Sequence, residues 1–136
     1  MTACRSTLRA TGSVAWASVA AMLRVEMVTI DCRDPGALAQ WWARQVGGRV
    51  LEGFEGDDYI VVAVKDGPRL GFQHVPEPTP GKNRVHLDLT APGRELEVER
   101  LLAEGALEVA RHEVGGFVWV VLADPEGNQF CVSQAH

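Results

Sequence analysis

The chain describes nearly the same module twice, and that repetition limits its architecture before any single residue is interpreted. An apolar, β-branched run, Val25-Glu26-Met27-Val28-Thr29-Ile30-Asp31, leads into Asp34-Pro35-Gly36 and an amphipathic stretch reaching Val46. Much later Arg84-Val85-His86-Leu87-Asp88-Leu89 leads into Pro92-Gly93 and an amphipathic stretch reaching Gly105. Each half then turns back into strand-like segments, the first closing on Leu70-Gly71-Phe72-Gln73-His74-Val75 and the second on Asn128-Gln129-Phe130-Cys131-Val132. Two copies are too few for a solenoid, so they must pair into one body with a cleft between them.

Local signals place the elements. Val25–Asp31 alternates and is β-branched, which predicts a strand. Asp34 suits a helix N-cap and Pro35 the first helical position. Leu38, Trp41, Trp42 and Val46 follow at helical spacing, and Gly47-Gly48 supplies the stop. Adjacent Trp41 and Trp42 cannot share one helix face, so one is expected in the core and the other on a neighbour or a second subunit. Strands are predicted at Arg49–Phe54, Tyr59–Val64 and Arg69–Val75, joined by turn formers. The second half repeats the order: strand Arg84–Thr90, helix Arg94–Glu104, then strands Leu107–Glu113, Phe117–Ala123 and Asn128–Ser133. Leu96, Val98, Leu101 and Leu102 form the apolar stripe expected of that helix, and Gly115-Gly116 reads as a hairpin turn.

Composition sets the outer limits. The 136 residues, 46% hydrophobic, suit one domain with a true core. A net charge of -5 without a cluster of Lys and Arg excludes an ordinary nucleic-acid binder. Cys4, Cys32 and Cys131 are odd in number and widely spaced, which predicts no disulfide framework and fits a reducing cytoplasm. Residues 1–23 stand apart as an N-terminal extension. Arg5, Arg9 and the run Val14–Leu23 leave three readings open: a poorly ordered or accessory segment, a weak secretory signal, or an added helix or strand. The run is short for a membrane span, and no membrane association is expected. Residues 24–136 then form a single domain, with modules of about 24–75 and 84–134 joined by a Pro-rich linker at 76–83.

A strand–helix–three-strand module used twice, with Val85-His86-Leu87-Asp88-Leu89 opening the second copy and Asp124-Pro125-Glu126-Gly127-Asn128-Gln129-Phe130 entering its last strand, resembles the vicinal oxygen chelate superfamily. That group includes glyoxalase I, extradiol dioxygenases, fosfomycin-modifying enzymes and bleomycin-binding proteins, and the likeness is to its glyoxalase-like branch. The resemblance spans roughly Leu23 to Gln134. It implies an α+β fold of two tandem βαβββ modules whose mixed sheet curls around a cleft. It also implies a homodimer, in some relatives with modules exchanged so that both chains line each cleft.

Strand parity proposes the cleft lining. Val28 and Ile30 suit the helix-covered core, leaving Met27, Thr29 and Asp31 on the other face; Leu87 and Leu89 do the same for His86, Asp88 and Thr90. Met27 and His86 lie 59 positions apart, and Gln73 and Cys131 lie 58 apart, which sets those two pairs opposite each other. Relatives that use a metal place a ligand near each of these four positions. Thioether, neutral amide, imidazole and thiol are a poor set for the oxygen-seeking ions of the family. His86 and Cys131 alone are too few for zinc. The expectation is therefore a site without metal or other cofactor, with a divalent ion completed by Asp88 or Asp31 as the alternative.

Ligand-binding residues are taken as Met27, Gln73, His86, Trp119 and Cys131, with His86 and Asp88 as the candidate catalytic pair. Trp119 offers an aromatic wall, and Gly71 an open spot beside Phe72; Phe72, Phe117 and Tyr59 read as core. Three functions compete. The first is a metal-independent protein that holds a small organic metabolite. The second is a glyoxalase-type lyase or isomerase, and the third a pseudo-enzyme used as an assembly or regulatory module, which a cleft filled by side chains would support.

Overall fold

A computed structural model describes residues 23–51 and 57–136. The expectations for the N-terminal extension, and for a second strand running on to Phe54, fall outside those residues. The first module comprises β1 (Met27–Cys32), α1 (Pro35–Val46), β2 (Arg49–Leu51), β3 (Tyr59–Ala63) and β4 (Arg69–His74). The second comprises β5 (Asp88–Ala91), α2 (Arg94–Ala103), β6 (Leu107–Val114), β7 (Phe117–Ala123) and β8 (Gln129–Gln134). Each builds a four-stranded mixed sheet of the same order, β1-β4-β3-β2 and β5-β8-β7-β6. In each the first strand runs parallel to the last and lies at the sheet edge. The α+β architecture of two tandem βαβββ modules is thus present, with the two sheets left open rather than joined.

Local chemistry explains the boundaries. The Asp34 carboxylate accepts the Ala37 backbone N–H at 3.1 Å, Pro35 stands at the helix start, and Gly47 closes α1 in the left-handed conformation at φ 60°. β5 is shorter than the expected Arg84–Thr90. Asn83 explains the difference: its side-chain amide donates to the Gln129 carbonyl at 3.0 Å while its oxygen accepts the Gln129 N–H at 2.7 Å. That side chain takes the place of a backbone neighbour beside β8. Regular pairing begins only at Asp88, opposite Cys131.

The helix-covered faces of the two sheets share one core. Val62, Leu70 and Phe72 from the first module and Val120, Leu122, Phe130 and Val132 from the second belong to the same cluster, with residues of both helices between them. Trp41 and Trp42 are both buried, 4% and 1% exposed, against the expectation that one would face a neighbour or a second subunit. Helix α1 lies between the modules, so its two sides both find protein. Trp42 packs edge-on against Phe130 with ring centres 4.9 Å apart, and Trp41 donates its indole N–H to the Glu104 carbonyl at 2.7 Å. Helix α2 is covered on one side only. Val98 and Leu101 are buried, but Leu96 is 75% exposed and Leu102 also lies at the surface, which corrects the broader stripe expected there.

The Asp124–Asn128 turn locks the modules together. Asp124 is buried, and its carboxylate accepts the Trp42 indole N–H at 3.0 Å as well as the backbone N–H groups of Glu126 and Asn128 at 2.9 and 3.0 Å. Glu126 reaches across to accept the backbone N–H groups of Arg33 and Asp34 at 2.7 and 3.0 Å, an anion set at the entrance to α1 where the helix dipole favours it. No helix among the described residues is long and apolar enough to cross a membrane.

Removing the indole donor leaves a buried carboxylate short of one partner and a smaller ring at the joint. Trp42→Phe is expected to destabilise the fold by about 2 kcal/mol in urea unfolding. A change within a few tenths of a kcal/mol would show that the bond to Asp124 is not holding the modules.

Candidate functional site

The sheet faces opposite the shared core carry the polar residues that strand parity selects. Register shows how the two halves correspond there. Thr29 stands opposite Gly71 in the parallel pair β1–β4, as Asp88 stands opposite Cys131 in β5–β8. Val61 pairs with Gly71 as Val121 pairs with Cys131, and Tyr59 with Gln73 as Trp119 with Ser133. Just beyond the first strands, Val75 N–H bonds the Cys32 carbonyl and Ala135 N–H the Ala91 carbonyl, which fixes the same alignment. The equivalent residues are therefore Met27 and His86, Thr29 and Asp88, Tyr59 and Trp119, Gly71 and Cys131. Gln73 answers Ser133, one pleat from the Cys131 that the sequence offsets matched to it; both positions keep the same face, so parity survives the correction.

In the first module the face is built around a hydroxyl pair. Tyr59 and Thr29 hydroxyls lie 3.1 Å apart, and the Tyr59 hydroxyl is 3.5 Å from the Met27 sulfur. Gly71 lets the phenol lie across β4. A Cβ there would sit 2.8 Å from the Tyr59 oxygen, 3.0 Å from the Thr29 hydroxyl and 3.1 Å from the Met27 sulfur. The open spot expected at Gly71 is thus filled by Tyr59, and Tyr59 is half-buried on this face instead of in the core. Gln73 is exposed nearby, its backbone carbonyl accepting the Cys32 thiol at 3.6 Å.

The second module puts ionisable groups at the same places. His86 Nδ1 and an Asp88 carboxylate oxygen are 3.4 Å apart, and these two side chains and the Cys131 sulfur offer atoms within 4.8 Å of one another. Trp119, Val121 and Cys131 form a small buried cluster on this face, with Ala110 and Phe117 against it. The His112 ring stacks on Trp119 with centres 5.1 Å apart. The indole N–H of Trp119 is buried and finds no acceptor among the described residues.

The sequence-selected residues thus fall into two groups. Met27 belongs to the first module's face and Gln73 to its edge; His86, Asp88, Trp119 and Cys131 belong to the second. Because both sheets turn their other face to the common core, a single chain does not enclose the two groups in one cleft. Thr29 and Tyr59 join the set. Tyr59 had a signal in the sequence, its place 60 positions before Trp119 in the repeat. A groove of about 950 Å³ lies elsewhere, between the start of α1, the linker and the Asp124–Asn128 turn. Its helix-entrance N–H groups are already taken by Glu126.

The family model for the glyoxalase-like domain matches residues 27–133. The chain belongs to the glyoxalase-like domain family. No curated protein matches it closely enough to count as a relative. Among solved structures, the glyoxalase-like fold is shared with a glyoxalase/bleomycin resistance protein/dioxygenase family enzyme from Burkholderia phytofirmans PsJN, at 21% identity and TM-score 0.70, over 84% of this chain and all of that one. A glyoxalase-related enzyme from Fulvimarina pelagi matches at 18% identity and TM-score 0.65, over 82% of this chain and 88% of that one. TnmS3, an antibiotic binding protein from Streptomyces sp. CB03234, matches at 20% identity and TM-score 0.61, over 85% and 98% of the two chains. Likenesses at this identity establish the fold alone.

The family raises the question of a metal, and the donor chemistry answers it. Zinc sites draw on at least three protein ligands. Here the Cys131 sulfur is disulfide-bonded, against the expectation that no disulfide forms, and it offers no thiolate. Met27 is a thioether already approached by the Tyr59 hydroxyl. Among the described residues His86 and Asp88 remain, two donors beside each other and fewer than a zinc site draws on.

Two outcomes follow from this geometry. Gly71→Ala is expected to expel the Tyr59 hydroxyl from its place and destabilise the fold by roughly 1–3 kcal/mol, as overpacking does; unchanged stability in the variant would show that the phenol does not lie over that position. Cys32, beneath this sheet, has its thiol pushed up from 9.0 to about 12 by burial first and then by the carboxylates of Glu126, Asp124, Asp31 and Asp34. The folded chain therefore holds that proton more tightly than the unfolded one. This contribution is complete below about pH 9 and drains away as pH rises toward about 12. Urea unfolding at a series of alkaline pH values should show a steeper loss for the native chain than for Cys32→Ala. Parallel slopes would refute it.

Proposed function

We propose that this glyoxalase-like protein binds a small organic molecule without a catalytic metal, in clefts completed by a second copy of the chain. The donor set around His86 carries the reading: a neighbouring carboxylate, a sulfur in a disulfide and a thioether at the equivalent place leave a face suited to gripping a ligand more than to coordinating an ion. The antibiotic-binding role in the name of TnmS3 agrees with this choice.

The dimer rests on a different observation. Each module turns a polar face away from the common core, with Thr29, Asp31, Gln73, Asp88 and Thr90 exposed on them. β1 and β5 are both open edges, and each is preceded by an exposed apolar residue, Val25 and Val85. A partner seated there covers those residues and brings the first-module face of one chain opposite the second-module face of the other.

A second reading, a metal-free lyase or isomerase, is favoured by one contact, the 3.4 Å approach of His86 to Asp88. It requires turnover that is lost in both His86→Ala and Asp88→Asn while ligand binding persists.

Metal analysis of the purified protein, with a thermal-shift series over divalent ions, tests the first reading. Less than stoichiometric metal and no ion-dependent shift are expected; a stoichiometric ion or a shift of several degrees would overturn it. Light scattering at micromolar concentration should give twice the chain mass, and a monomeric mass would remove the shared cleft.

A further inference from the structure

Cys131 carries a covalent bond on the second-module face. Its sulfur is disulfide-bonded, while the other described cysteine, Cys32, is free and buried. The chain holds three cysteines, so the count leaves Cys4 as the partner within one chain. Cys4 belongs to the N-terminal extension and lies outside the described residues. Fully extended, the stretch from Cys4 to Leu23 can span about 60 Å, so reach does not limit the link.

The same face is buried where no described helix covers it. Trp119, Val121 and Cys131 are 4%, 5% and 4% exposed on the side of the sheet away from the common core. Both described helices contribute to that core on the opposite side, and the partly buried residues packed against the small cluster are Ala110 and Phe117. A segment tied at Cys131 supplies a cover. The extension carries an apolar run, Val14–Leu23, suited to such a patch.

We infer that a Cys4–Cys131 disulfide latches the N-terminal extension onto the second-module face, and that small thiols open it. Opening consumes two thiol molecules. The first, as thiolate, bonds to the Cys4 sulfur; the S–S bond breaks and its electron pair leaves with Cys131. The second bonds to the sulfur of the first and releases Cys4. The protons of the two thiols end on Cys4 and Cys131, and the thiols depart oxidised to their own disulfide. The freed Cys131 thiol then stands with His86 and Asp88, whose donor atoms lie within 4.8 Å of its sulfur. The latch thus sets access to the face that carries His86 and Asp88, whichever molecule that face binds.

Peptide mapping of the intact protein, oxidised with excess glutathione disulfide and then blocked with iodoacetamide, reads the link. A cross-linked pair of Cys4 and Cys131 peptides is expected, with Cys32 left as a thiol. Cys131 found as a thiol, capped by glutathione or joined to Cys131 of a second copy overturns the inference. Dye binding reads the cover. Dithiothreitol added to the oxidised protein is expected to raise the fluorescence of anilinonaphthalene sulfonate several-fold, as Trp119 and Val121 become accessible. Cys4→Ser should start at the high level and not respond to the reductant, whereas Cys32→Ser should respond as the native chain does. Equal fluorescence before and after reduction overturns the latch. So does a rise accompanied by loss of the far-ultraviolet circular dichroism, which reports unfolding.

Discussion

The indole N–H of Trp42 meeting the buried carboxylate of Asp124 is the contact on which the arrangement of the two modules depends. A carboxylate this deep needs every lone pair answered, and Asp124 is answered by its own turn and by a helix of the other module. The same turn projects Glu126 onto the backbone entering α1. One short loop thereby sets both where α1 lies and how it is oriented. With α1 placed between the sheets, both apolar faces are covered at once and the polar faces are left outward.

Duplication made those polar faces equivalent in geometry, and substitution then made them different in chemistry. Met27, Thr29, Tyr59 and Gly71 form a neutral, soft surface around two hydroxyls. His86, Asp88, Trp119 and Cys131 put an ionisable pair, an indole and a sulfur at the same four places. In members of this family that bind an ion, both faces must contribute ligands. Here one face contributes a thioether, a soft donor with little affinity for the oxygen-seeking ions of the family.

The readings that succeeded were those whose physical cause is local. Asp34 caps its helix because the acceptor and its N–H donor lie three residues apart; Gly47 ends it because only glycine takes that backbone conformation cheaply. The readings that failed concern what another segment brings. Trp41 and Trp42 both became core because the second module supplies Phe130 and the Glu104 carbonyl. Leu96 stayed at the surface because nothing covers that side of α2. The strand expected from Arg84 began late because the side chain of Asn83 occupies Gln129. Tyr59 was assigned to the core on residue type alone, and the bare backbone at Gly71 drew its hydroxyl to the opposite face.

The sequence by itself determined that the chain is two βαβββ modules and which parity of each strand avoids the apolar core. Those properties follow from period, caps and turns, which act over a few residues. Tertiary structure decided which residues correspond across the repeat, since strand register moves in steps of a pleat and one inserted residue shifts every later match. It also decided that the two polar faces do not meet within one chain. That outcome is set by the side on which α1 packs, and the partners that hold it there, Asp124 and Phe130, lie more than eighty residues away from Trp42 along the chain.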